Sequence, residues 1–122
     1  MSYLHSLTAR LAACMECLPA DLRARHSRFF QAAQRADGGF AGREGESNLY
    51  YTSFALRGLA ILGELHGAVA QRAGEFLRAR LTSDEPLIDR MSLVFGAAQL
   101  DAAAGIDVLA DAGPRWKASL AA

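Results

Sequence analysis

Residues 34–40 read QRADGGF, and the polar run GREGESN at 42–48 separates them from LYYTSFALRGLAIL at 49–62. Two adjacent glycines between two helical patterns have two physical readings. Glycine can let backbone N–H groups close around a phosphate, or it can supply the positive-φ corner that joins two packed helices. A phosphate loop needs a strand before it and Lys-Ser/Thr after it, and neither occurs here. The corner reading therefore decides the fold.

Working outward from the corner, the pattern is helical on both sides. Tyr3, Leu4, Leu7, Leu11 and Cys14 recur at spacings of three and four, predicting a first helix over about 3–17. Pro19 suits the first turn of a second helix that runs to about Ala33. After the diglycine, Ser47 or Asn48 can cap a third helix. Its apolar positions, Leu49 through Leu65, cover more than one face, which predicts burial on two sides. Gly67 is expected to break it, and a fourth helix follows at about 68–81. The turn TSDEP reads as a cap before a fifth helix from about Leu87 to Ala104. Pro114 opens a further helix start, PRWKASLAA. No stretch alternates in the manner of a strand, so the expected class is all-α, in short αα-hairpins.

Composition bounds the function. The chain has 122 residues, one domain's worth, and is 52% hydrophobic, enough for a core. Lys+Arg and Asp+Glu are 13 each, so no net field draws in nucleic acid or an anionic membrane surface. No apolar run is long enough to span a bilayer. Arg10 interrupts the apolar start of the chain, which therefore does not read as a secretory signal; cytoplasmic residence is the expectation. Cys14 and Cys17 have the C-x-x-C spacing of half a zinc site or a redox pair. With no second pair and no preceding strand, they read instead as small residues on a packed helix.

The helices repeat. Arg25, Phe29, Phe30 and Gln34 are echoed 47 residues later by Arg72, Phe76, Leu77 and Leu81. Thr52, Phe54 and Ala60 correspond to Ser92, Val94 and Leu100 at an offset of 40, and a third unit begins at Arg115-Trp116. The expected organisation is an N-terminal helix at 1–18, one repeat at 19–66, a second at 67–105 and the start of a third at 106–122. About two and a half stacked units leave apolar surface uncovered, which points to further repeats of a longer protein or to copies of the same chain as partners.

The stretch Arg25-x-x-x-Phe29-Phe30-x-x-x-Gln34-x-x-x-Gly38-x-Phe40 resembles the repeat of protein prenyltransferase β-subunits and of squalene/oxidosqualene-type terpene cyclases. The wording DGGF, a polar loop, then LYYTSFAL is closer to the prenyltransferase version. His26, Phe30 and Phe40 stand where the cyclase repeat has glycine, leucine and tryptophan. The resemblance implies a partial αα toroid around an apolar, aromatic cavity that holds an isoprenoid chain. It also implies structural roles for Phe29, Gln34, Asp37, Gly38, Gly39 and Phe40: Gln34 bonded to backbone at a neighbouring helix end, the glycines at the bend, Phe40 packed beneath it.

For the reaction, the resemblance implies transfer of a prenyl group from an isoprenoid diphosphate to a zinc-bound thiolate. The family's first two zinc ligands, Asp and Cys, align with Asn48 and Tyr50, a neutral amide and a phenol that suit Zn²⁺ poorly. No metal ligand is expected in this chain, and zinc only if further repeats supply it. Of the basic pair that clamps the diphosphate, Arg43 matches the first member and Glu46 falls at the second. The acidic clusters SDEPLID and DVLAD do not reproduce the cyclase acid motif. Arg43, Tyr50, Tyr51 and Phe54 are the candidate ligand-binding residues, with ordinary core packing as the alternative for the three aromatics. Arg72, Arg78 and Arg80 read as a solvated helix face. Two functional readings stand: a prenyltransferase-like or cyclase-like segment with an isoprenoid diphosphate or lipid as ligand, and a non-catalytic helical-repeat module that binds a protein or lipid partner.

Overall fold

The computed structural model describes residues 3–82 and 85–110 of the chain. Among them there are five helices: α1 (Tyr3–Met15), α2 (Ala20–Ala33), α3 (Leu49–Leu62), α4 (Gly67–Ala79) and α5 (Leu87–Ala104). The class is all-α. Among the described residues the only ladder contact is an isolated antiparallel bridge between Phe40 and Asn48, which closes the 41–47 loop at its base. The expected helix start at Pro114 and the third unit at Arg115-Trp116 lie outside the described residues, as do Ser83 and Asp84 of the expected TSDEP cap.

Central to the packing is α3, which touches α1, α2, α4 and α5. Its Leu49, Leu56 and Leu59 are almost wholly buried, as are Leu77 of α4 and Leu93 and Leu100 of α5. Burying six leucines of this kind contributes about 1.5–3 kcal/mol each relative to exposure, and holds the helices together against their conformational entropy. Close approach of α5 is possible because Gly96 presents no side chain: a Cβ there would lie 3.2 Å from Leu77 and 3.4 Å from Leu56.

The helix ends follow local chemistry. Asn48 caps α3, its side-chain oxygen accepting from the Tyr51 N–H at 2.8 Å. The expected break at Gly67 is corrected: α3 stops at Leu62 because Gly63 turns left-handed at φ 74. There the Gly63 and Glu64 N–H groups bond back to the Ala60 and Leu59 carbonyls, which satisfies the helix end. Gly67 instead opens α4, and Leu65, in the connection, is buried in the core.

On α1 the expected stripe is displaced. Tyr3 is 78% exposed and Cys14 is also at the surface, whereas Thr8 is buried and Leu7 and Leu11 are half-buried. The side chain of Leu4 lies outside the described set. Cys14 and Cys17 are both free thiols and both exposed, so the packed-helix reading of the pair is wrong. The helix packs on α3, with Thr8 its buried residue among those described. Arg23 of α2 donates to the Met15 and Glu16 carbonyls at 3.3 and 3.2 Å, placing a cation at the negative end of α1.

Candidate functional site

The diglycine corner is a fully committed piece of backbone. Gly38 has φ 89, and a Cβ there would fall onto the carbonyl of Arg72 in α4, so both conformation and approach demand glycine. Gly39 has no such backbone constraint. Its missing side chain makes room for the Phe76 ring and Ser47, each 2.8 Å from where a Cβ would sit. The Gly38 N–H donates to the Arg35 carbonyl, the Gly39 N–H to Asp37 Oδ1, and the Phe40 N–H to Thr52 Oγ1, all at 2.9 Å. With its donors spent internally, the corner presents no cradle of N–H groups to a phosphate.

Side chains then tie the corner to three helices. Gln34 Nε2 donates to the Gly38 carbonyl and to the Val69 carbonyl in the first turn of α4, both at 3.0 Å. Ser47 Oγ donates to Asp37 Oδ1 at 2.8 Å, and Phe40 is 3% exposed beneath the bend. Arg72 donates to Gln34 Oε1 at 3.3 Å and to the Arg35 carbonyl at 2.7 Å. Arg80 lies 4.8 Å over the Phe76 ring and pairs with Glu85 at 3.5 Å. The solvated-face reading of Arg72 and Arg80 is therefore corrected: exposure at their tips coexists with bonds that join α2 to α4 and close the end of α4.

Phe29 departs from its expected place in the motif. It is 71% exposed, whereas Phe76, 47 positions further on, is 3% exposed. The neighbour, Phe30, makes the inward contact: a Cβ on Gly58 of α3 would meet its ring at 2.6 Å. Ring centroids of Phe29 and Phe30 are 5.9 Å apart, edge to face.

On another face of the molecule, α3 and α5 form an apolar groove of about 230 Å³. Tyr50, Ser53, Phe54 and Arg57 line it from α3; Ile88, Met91, Ser92 and Phe95 line it from α5. Both sets follow the i, i+3, i+4, i+7 spacing of a single helix face. The core alternative for the α3 aromatics does not hold: Tyr50 and Tyr51 are each 45% exposed and Phe54 is 55% exposed. Tyr50 stacks edge-to-face on both Tyr51 and Phe54, with centroids 5.4 and 5.0 Å apart, so the aromatic wall is preordered.

Of the four candidate ligand-binding residues, the structure brings Tyr50 and Phe54 together in this groove. Tyr51 lies outside it, its ring against Gly42, where a Cβ would be 2.8 Å away. Arg43 is exposed in the 41–47 loop and does not line the groove. Glu46 borders a different crevice, beside the corner, with Arg35, Asp37, Ser47 and Arg80. Sequence reasoning missed Arg57 and the whole α5 wall. The spacing of Ile88, Met91 and Phe95 was visible, but its partnership with Tyr50 and Phe54 exists only once α5 packs on α3.

Asn48 and Tyr50, aligned with the zinc-ligand pair, are used otherwise: Asn48 Oδ1 accepts the cap bond from Tyr51, and Tyr50 belongs to the aromatic wall. Among the described residues no group of three His, Cys, Asp or Glu is placed to hold a metal, and no helix is long and apolar enough to cross a membrane. His66 sits at the N-cap of α4, 3.4 Å from Glu64. Compared with protein-family models, curated proteins and solved structures, the chain matches none of them.

Proposed function

We propose that this chain is a helical-hairpin segment of the prenyltransferase-β or terpene-cyclase type, and that its α3/α5 face binds the apolar chain of an isoprenoid. The observation that carries the reading is the groove itself. Phe54, Ile88 and Met91 are 55%, 63% and 47% exposed beside one another, on helices whose opposite faces are packed into the core. Contiguous apolar surface of this kind marks a binding site more often than a neutral surface. The alternation of chain order and packing also supports it: α1, α3 and α5 adjoin through α3, with α2 and α4 packed between them in sequence and against α3 in space. Stacked hairpins in a partial toroid produce that order. The parent reaction of such proteins is prenyl transfer from an isoprenoid diphosphate.

For these residues, binding without chemistry is the better-supported role. Asn48 is engaged as a helix cap, Tyr50 is a wall of the groove, and Glu46 puts a carboxylate where a diphosphate would need a cation. A titration with geraniol, an isoprenoid chain without a diphosphate, followed by tyrosine fluorescence, tests the reading. Saturable binding that weakens about tenfold or more in Phe54→Ala, the loss expected for one well-buried aromatic contact, supports it. Binding that Phe54→Ala leaves unchanged moves the ligand elsewhere and removes the groove from consideration.

A further inference from the structure

We infer that the α3/α5 groove selects an amphiphile with a single anionic head, a medium-chain carboxylate, and that Arg57 is the residue that recognises the head. This rests on the reading of the groove as an apolar-chain site and adds the class of ligand. Among the described residues, Arg57 is the only charged side chain in the lining. It is half-buried and has no hydrogen-bond or ion-pair partner among the described residues. A guanidinium partly removed from water, with unspent donors, is complementary to a carboxylate, which it can hold through two parallel bonds.

Ser53 lies one turn from Arg57 on the same face of α3, and Ser92, 7% exposed, belongs to the α5 side of the lining. Tyr50, Phe54, Ile88, Met91 and Phe95 form the largely apolar remainder. One cation suits one negative charge. A diphosphate carries more charge than this lining can neutralise.

The length of the lining sets the tail. From Tyr50 to Arg57 is two turns of helix, about 10 Å, which an extended chain of about eight methylenes spans. The preferred ligand therefore has a tail of about eight to ten carbons.

Calorimetric titration of the full chain with 1-decanol, decanoate and decyltrimethylammonium separates the two levels of the argument. Decanoate is expected to bind about tenfold tighter than decanol, and the ammonium more weakly than either. In Arg57→Gln the ratio of decanoate to decanol affinity falls to about one. Equal binding of decanol and decanoate, or a preference that survives Arg57→Gln, overturns the head-group assignment and leaves the apolar groove standing. Failure of decanol itself to bind removes the groove reading and this inference together. Across hexanoate, octanoate, decanoate and hexadecanoate, affinity is expected to rise about fourfold per added methylene to about ten carbons and then level off. A rise that continues unchanged to hexadecanoate overturns the tail length.

Discussion

The side-chain amide of Gln34 reaches the Val69 carbonyl, 35 positions away in sequence, with a bond of 3.0 Å, while its oxygen accepts from Arg72. One residue at the end of α2 thus bonds the first turn of α4 and, through the Gly38 carbonyl, the bend between α2 and α3. Gln34→Ala removes all three bonds at once. The expected cost is about 1–3 kcal/mol of unfolding free energy, read as a lower urea midpoint with an unchanged slope. A midpoint equal to the parent's means these bonds have no net weight against their hydration.

Gly38 and Gly45 separate conformation from contact. Both have φ near +90, at 89 and 94, but a Cβ at Gly45 meets nothing within 4 Å, whereas at Gly38 it falls on the Arg72 carbonyl. Gly45→Ala is expected to cost only the conformational penalty, about 1–2 kcal/mol. Gly38→Ala costs upwards of about 3 kcal/mol, because α4 must also retreat. Thermal denaturation of the two variants side by side checks the order, and equal losses contradict the close approach.

The two aromatics at the end of α2 have opposite expectations. Phe29 is 71% exposed, so Phe29→Ala stays within about 0.5 kcal/mol of the parent. Phe30 packs on the core and against Gly58, so Phe30→Ala costs about 2–3 kcal/mol. Chemical denaturation of both variants decides which one is the packing residue of the motif.

Thr52 is wholly buried, and its hydroxyl oxygen accepts the Phe40 N–H at 2.9 Å. Thr52→Val keeps the shape and strands that donor, at an expected cost of about 1–3 kcal/mol. Thr52→Ser restores the acceptor and should recover most of the bond's share. Hydrogen exchange at the Phe40 amide gives an independent readout: faster in Thr52→Val, near the parent rate in Thr52→Ser.

What the sequence determined by itself was local. Apolar spacing, Asn48 as a cap and Pro19 just before α2 are interactions within a few residues, and they were enough for five helices and the all-α class. The diglycine was legible as a bend because φ 89 is a property of one residue. Tertiary structure decided everything that depends on which faces meet. Phe29 and Phe30 are adjacent and chemically alike, and only the position of Gly58 on a neighbouring helix turns one inward. Arg72 looked like any surface arginine until α4 came alongside Gln34. The groove is the clearest case. Its two walls are separate helical stripes about forty residues apart, and a stripe of apolar residues looks the same whether another helix will cover it or leave it open. Burial of Leu56 against Gly96 brings α3 and α5 together, and that contact leaves Tyr50, Phe54, Met91 and Phe95 facing outward around the half-buried Arg57.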